Sequence, residues 1–118
     1  MAARRYKKTF LGDLEQMILL AILRLEDEAH AVDVARVLEE SAGRSVSRGA
    51  LYTTLNRLEK KGLLGWNIDG GTSRESRGGA PKRRFELTEA GMEALRITQE
   101  ALGALTEGLE GTISGGSR

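Results

Sequence analysis

The sequence predicts a mainly α fold with a small β-hairpin, arranged as a winged helix-turn-helix followed by a C-terminal dimerisation helix. Three observations carry that prediction. Three segments of helical apolar periodicity precede two segments that alternate with a period of two, and a further helical segment closes the order. Seventeen leucines against five aromatic residues point to a core made from aliphatic helix faces. Charge is segregated along the chain although the formal net charge is only +1. At 118 residues the chain has the length of one small domain, whose modest core a dimer would supplement.

Residues 1–9 read as a basic, flexible tail, carrying Arg4, Arg5, Lys7 and Lys8 and little to bury. The first helix is expected over Phe10 to Leu25, with Leu14, Ile18, Ala21, Ile22 and Leu25 on one stripe and Leu19, Leu20 and Leu23 outside it. A helix apolar on two sides needs two burial partners. After a polar connection at Glu26 to Ala29, a shorter helix runs from Ala31 to Ala42, with Val34, Val37 and Leu38 at helical spacing and Gly43 stopping it. His30, at its start, reads as a local hydrogen-bond partner. Ser47 caps the third helix, Leu51, Leu55 and Leu58 form its inner stripe, and Gly62 supplies a left-handed residue at its end.

Leu64, Trp66 and Ile68 then alternate with Gly65 and Asn67, and Arg83, Phe85 and Leu87 alternate with Arg84 and Glu86, so the two runs pair as a hairpin. Trp66 reads as a hydrophobic anchor under this wing. The connection from Asp69 to Pro81 holds Gly70, Gly71, Gly78 and Gly79 with Arg74 and Arg77, and is far longer than the usual hairpin loop of two to five residues. It is expected to be mobile. Residues 10–87 thus make one unit. Thr88 caps a last helix, expected over 88–110, in which Leu95, Leu102 and Leu109 recur every seven residues with Thr98 and Leu105 on the companion track. Gly103 and Gly108 each weaken that helix by about 1 kcal/mol relative to Ala, so a packing partner must support it. Residues 111–118, rich in Gly and Ser, read as a disordered tail.

Composition excludes several function classes. There is no Cys and a single His, which leaves no disulfide, no thiolate chemistry and no partnered His for a zinc site, and neither a metal nor a cofactor is expected. Neither a nucleophile with a positioned base nor a convergent acid pair is apparent, so no enzyme is expected. The longest apolar run, Met17 to Leu23, is seven residues where a membrane span needs roughly 20, and Met1 to Lys8 lacks a signal-peptide core. A cytoplasmic protein without a membrane partner is the expectation.

Residues 9–42 hold eight acidic side chains and two basic ones, whereas residues 43–84 hold ten basic side chains against Glu59, Asp69 and Glu75. The basic block contains the third helix and the hairpin. Opposite its leucine stripe the third helix presents Gly49, Thr53, Asn56, Arg57 and Lys60, flanked by Tyr52, with Ser47 and Arg48 at its start. Asn pairs with adenine, Arg with guanine and Thr with the thymine methyl, and Gly49 permits close backbone approach; Tyr52 and Lys60 suit phosphates. Arg74, Arg77, Lys82, Arg83 and Arg84 put five cations on the wing and its return strand, fit to follow a phosphate chain or a minor groove. For Arg83, bracing the strand pair is the alternative. These residues imply sequence-specific binding of double-stranded DNA. A winged-helix module that binds proteins without reading DNA is the competing function, since fold alone never fixes function.

The run Leu11-Gly12-Asp13-Leu14-Glu15, the block Gly49-Ala50-Leu51-Tyr52-Thr53-Thr54-Leu55 with Arg57-Leu58-Glu59 and Gly62-Leu63, then Gly78 to Arg84 and Phe85-Glu86-Leu87-Thr88-Glu89-Ala90-Gly91 resemble the PadR family of transcriptional regulators over about residues 10–110. The resemblance implies a homodimeric winged-helix repressor in which the last helix packs on the first helix of its mate. That places Leu11, Leu14 and Ile18 of the first helix and Leu95, Leu102, Leu105 and Leu109 of the last at the dimer interface, and it implies a pseudo-palindromic operator. Small members resembling this chain bind flat hydrophobic drugs between aromatic residues of the last helices. Here that helix has no Trp, Tyr or Phe, which leaves an aliphatic cavity for a hydrophobic small-molecule effector. Where the family pattern has His-Gly-Tyr before the second helix, this chain has His30-Ala31-Val32.

Overall fold

Side-chain caps and glycines punctuate the chain into five helices and one hairpin among the residues that the computed structural model describes, 9–68 and 82–115. Helix α1 spans Asp13–Leu25 and runs into a single 3-10 turn at Glu26–Glu28; α2 spans Ala31–Ala42 and α3 Arg48–Lys60. Strands β1, Leu64–Ile68, and β2, Arg83–Leu87, pair antiparallel with Leu64 opposite Leu87, Trp66 opposite Phe85 and Ile68 opposite Arg83. Helix α4 covers Glu89–Thr106 and a single turn, α5, covers Glu110–Ile113. Ser47 Oγ accepts the Ala50 N–H at 3.0 Å and Thr88 Oγ1 accepts the Gly91 N–H at 3.0 Å, so both expected caps are in place.

The core lies where α1 crosses the other elements. Ile18, Leu19 and Ile22 of α1 meet Val34 and Leu38 of α2, Leu51, Leu55 and Leu58 of α3, Leu63 and Leu64, Phe85, and Ala94 and Leu95 of α4 in one buried cluster. This partly corrects the expected division of α1. Leu19 is fully buried, whereas Leu20 and Leu23 are exposed, so the inward face is wider than one stripe. Three of the seven residues expected at a dimer interface are covered within a single chain. Leu11, Ile18 and Leu95 are buried inside their own chain and Leu14 packs partly against the core; Leu11, Leu14 and Ile18 lie on and before α1, a helix that also contacts α4. The Leu11 N–H, buried, donates to Thr98 Oγ1 at 3.0 Å along that contact.

The last helix is shorter than expected. It ends at Thr106, two residues before Gly108 takes a left-handed φ of +83°, and Leu109 falls in the break before α5. The heptad track therefore stays helical only through Leu102 and Leu105. Residues 110–113, expected in part as tail, form the α5 turn.

Two contacts hold the end of α3 from behind. The Thr88 hydroxyl donates to the Gly62 carbonyl at 2.7 Å and the Thr88 N–H to the Leu63 carbonyl at 3.1 Å, bringing the start of α4 against the α3–β1 turn. Gly91 then sits so near that a Cβ there would lie 2.1 Å from the Leu63 oxygen. On the other side Lys61 Nζ donates to Glu15 Oε2 at 2.9 Å, while Glu15 Oε1 accepts the Gly12 N–H at 2.9 Å. Burial alone would push the Glu15 carboxyl up, but the Gly12 N–H, Lys61 and the nearby Arg57 more than offset it and hold the carboxyl below its ordinary range.

Substituting Gly91 by Ala is expected to cost about 1–3 kcal/mol of stability in urea denaturation, because backbone faces the new methyl; a loss below about 0.5 kcal/mol would show that the turn yields freely. A depressed folded-state value means that the Glu15 carboxylate stabilises above its unfolded value and that this contribution fades as pH falls through the folded one. The wild-type protein should therefore lose stability relative to Glu15→Gln below about pH 4.5, the ordinary glutamate value. Parallel stability curves would contradict the pairing.

Candidate nucleic-acid interface

Helix α3 divides cleanly between its two faces. Leu51, Thr54, Leu55 and Leu58 are buried, and Thr54 turns its hydroxyl back to the Ala50 carbonyl at 2.9 Å. On the other side Arg48, Gly49, Tyr52, Thr53, Asn56, Arg57 and Lys60 are all exposed. The apolar stripe dictates this outcome, since residues three and four apart share a helix face and the residues between them must point away. Ser47 belongs to the same end, with its Oγ occupied in capping. Nothing crowds the space where a Gly49 Cβ would stand, so backbone approach is open there.

The outward face is strongly basic. Thr53, Asn56, Arg57, Lys60 and Lys61 line a shallow groove of about 440 Å³. Glu59 is the sole acid in α3, and its Oε2 accepts the Trp66 Nε1–H at 2.8 Å. A second hollow of about 290 Å³ opens where α2, α3 and the hairpin meet, lined by His30, Ala31, Val32, Tyr52, Lys82, Arg83 and Phe85. Among the described residues no carboxylate lines either concavity. His30 approaches Asp33 through Nδ1 at 3.3 Å, as expected of a local partner, and its backbone also bridges Arg84.

The described wing cations take three different places. Lys82 is exposed beside Tyr52 at the second hollow. Arg83 takes the bracing role, with its guanidinium 5.0 Å from the Trp66 ring centre and 5.4 Å from that of Phe85. Arg84, on the opposite face of β2, pairs in register with Asn67. Arg74 and Arg77 lie outside the described residues. Trp66 itself departs from expectation, for it is 37% exposed while Phe85, directly opposite, fills the buried place. It is a half-exposed plate that joins β2 to α3.

Two further positioning contacts escaped sequence reasoning. The Glu15–Lys61 pair links residues 46 apart, and nothing local distinguishes Glu15 from the other acids of the first two helices. The Trp66–Glu59 bond had a local signal in the single acid of α3, seven residues before a lone tryptophan. Chemically, the assembled surface offers amide, hydroxyl and guanidinium groups on a helix of groove-entering size, flanked by cations suited to phosphates.

Residues 19–97 match the model of the transcriptional regulator PadR-like family. The chain belongs to that family. A PadR-like transcription factor from Bacteroides fragilis is 31% identical, with a TM-score of 0.66 over 84% of this chain and 88% of that one. The fold is also shared with a PadR-like transcriptional regulator from Bacillus cereus, at 22% identity and a TM-score of 0.67 over 86% of this chain and 92% of that one. A PadR family regulator from Clostridium difficile aligns at 21% identity and a TM-score of 0.65, covering 86% and 99% of the two chains. Among curated proteins there is no significant match. Membership makes this chain a winged-helix DNA-binding regulator of transcription rather than a member of an enzyme family. No helix among the described residues is long and apolar enough to cross a membrane.

Proposed function

We propose that this PadR-like chain is a homodimeric repressor that reads a pseudo-palindromic operator through two copies of α3 and is released by a hydrophobic small molecule. The observation that carries this reading is the exposed stripe Gly49, Thr53, Asn56, Arg57 and Lys60, backed by a leucine stripe that leaves α3 no other orientation. Asn56 and Arg57 would face base edges, while Ser47, Arg48, Tyr52, Lys60 and Lys82 hold the backbone and Arg84, with Arg74 and Arg77, extends the contact along the wing. Arg83 supports that wing by stacking. Half-sites would lie about one helical turn apart, roughly 34 Å.

A second copy of the chain is the occupant that suits the exposed apolar residues. Leu105 is 73% exposed and Leu102 nearly half exposed along the end of α4, Leu109 is nearly half exposed just beyond it, and Phe10, Leu20 and Leu23 are exposed on and before α1. These replace Leu11, Ile18 and Leu95 as the interface we propose, with the same helices meeting across a two-fold axis. An aliphatic seam of this kind is also where a hydrophobic effector would bind without an aromatic sandwich.

Two measurements check this reading. On a duplex that the protein enriches from a random-sequence library, Asn56→Ala should weaken binding by about 1–3 kcal/mol, with little change on random DNA. Equal losses on both would remove its base-reading role. Leu105→Asp adds a charge that the monomer leaves in water but a dimer seam would bury, so sedimentation should give a monomer of native helicity. A dimer of undiminished stability would place the seam elsewhere.

A further inference from the structure

We propose that Trp66 is a positioning residue for DNA recognition, which fixes the hairpin against α3 through an indole N–H latched to Glu59 and a ring covered by Arg83. The inference rests on the DNA-binding reading above. Its starting point is the unequal support of the hairpin. At the root, the Leu63 N–H donates to the Leu58 carbonyl at 3.0 Å and the Phe85 N–H to the Ala29 carbonyl at 2.9 Å, with Leu64 and Phe85 buried. Beyond the root, Asn67 and Ile68 are exposed, and a two-stranded ribbon has little rigidity of its own.

Trp66 stands at the boundary between these halves. Its Nε1–H reaches Glu59 Oε2 in the last turn of α3 at 2.8 Å, and the Arg83 guanidinium closes over the ring from β2 at 5.0 Å. Three side chains from three elements thus tie the outer hairpin to the helix that reads the groove. The latch has an electrostatic consequence as well. Glu59 is the only negative charge on α3, and a bond to the wing holds it away from the groove where Arg57 and Lys60 would meet phosphates. A set separation between helix and wing favours a duplex that satisfies both at once, because less ordering remains to be done on binding.

The test compares the affinity of the full chain for a library-enriched duplex with that for a random duplex of equal length. Trp66→Phe keeps a ring under Arg83 but removes the N–H, and Glu59→Leu removes the acceptor. Each should lower selectivity about fivefold, the worth of one hydrogen bond to a charged group at a partly exposed site. The double variant should lose no more than either alone, because both break the same contact. Glu59→Gln, which removes the charge but keeps an accepting oxygen, should retain the selectivity of the wild-type protein. Trp66 is the single tryptophan, so its emission in the free protein reports the latch directly and should shift in Glu59→Leu but not in Glu59→Gln. Unchanged selectivity in Trp66→Phe, or losses that add in the double variant, would overturn the latch while leaving DNA binding intact. A wild-type protein that enriches no sequence would overturn the DNA-binding reading and the latch with it.

Discussion

The backbone of α4 comes so near the Leu63 carbonyl that only hydrogen fits at position 91, and this contact fixes the end of α3 in the molecule. The same turn is held by the Thr88 hydroxyl on the Gly62 carbonyl and, from the α1 side, by Lys61 on the buried Glu15 carboxylate. Leu51, Leu55 and Leu58 then set the rotation of α3 about its axis. With position and rotation both fixed from behind, the polar face has a single outward orientation. The proposed function calls for that, since a helix that reads base edges must arrive at a groove already in register.

Charge is sorted by the same architecture. Much of the acidity of the first two helices is engaged with cations: Glu15 with Lys61, Asp13 with Arg44, and Asp33 with Arg36, while His30 Nδ1 also approaches Asp33 at 3.3 Å. Burial alone would raise the Asp33 carboxyl, but the hydrogen bonds from Arg36 and His30 offset it and hold it below its usual range. Most of these pairs are near the surface, where an ion pair contributes little stability. Their effect is on the local field, since each sets a carboxylate of the first two helices beside a basic partner.

Much of this was legible in the sequence because local chemistry decides it. Ser47 and Thr88 start their helices, Gly62 takes the left-handed conformation expected after α3, and the period-of-two alternation in residues 64–68 and 83–87 yields the observed strand pairing. The stripe on α3 was legible because its leucines leave one polar side. What stayed hidden depends on which of two equivalent faces meets what. A first helix apolar on two sides does not reveal that Ile18 and Leu19 face inward while Leu20 and Leu23 face out. Leu95 keeps the heptad spacing of Leu102 yet is buried within its own chain, while Leu102 is exposed. Trp66 alternates in phase with a buried Leu64 but lies past the edge of the core, where a hydrogen bond to Glu59 holds it instead. Periodicity marks a face; only the tertiary arrangement shows how far the cover extends.

In the proposed function α3 is a reader of sequence and not merely a cationic surface. Fluorescence anisotropy of the protein on its own upstream DNA, against a scrambled duplex of equal length at about 50 and 200 mM salt, separates these two properties. A preference for the upstream duplex that persists at the higher salt is the predicted result. Equal binding to both duplexes that disappears with salt would reduce the face to electrostatics and contradict the account.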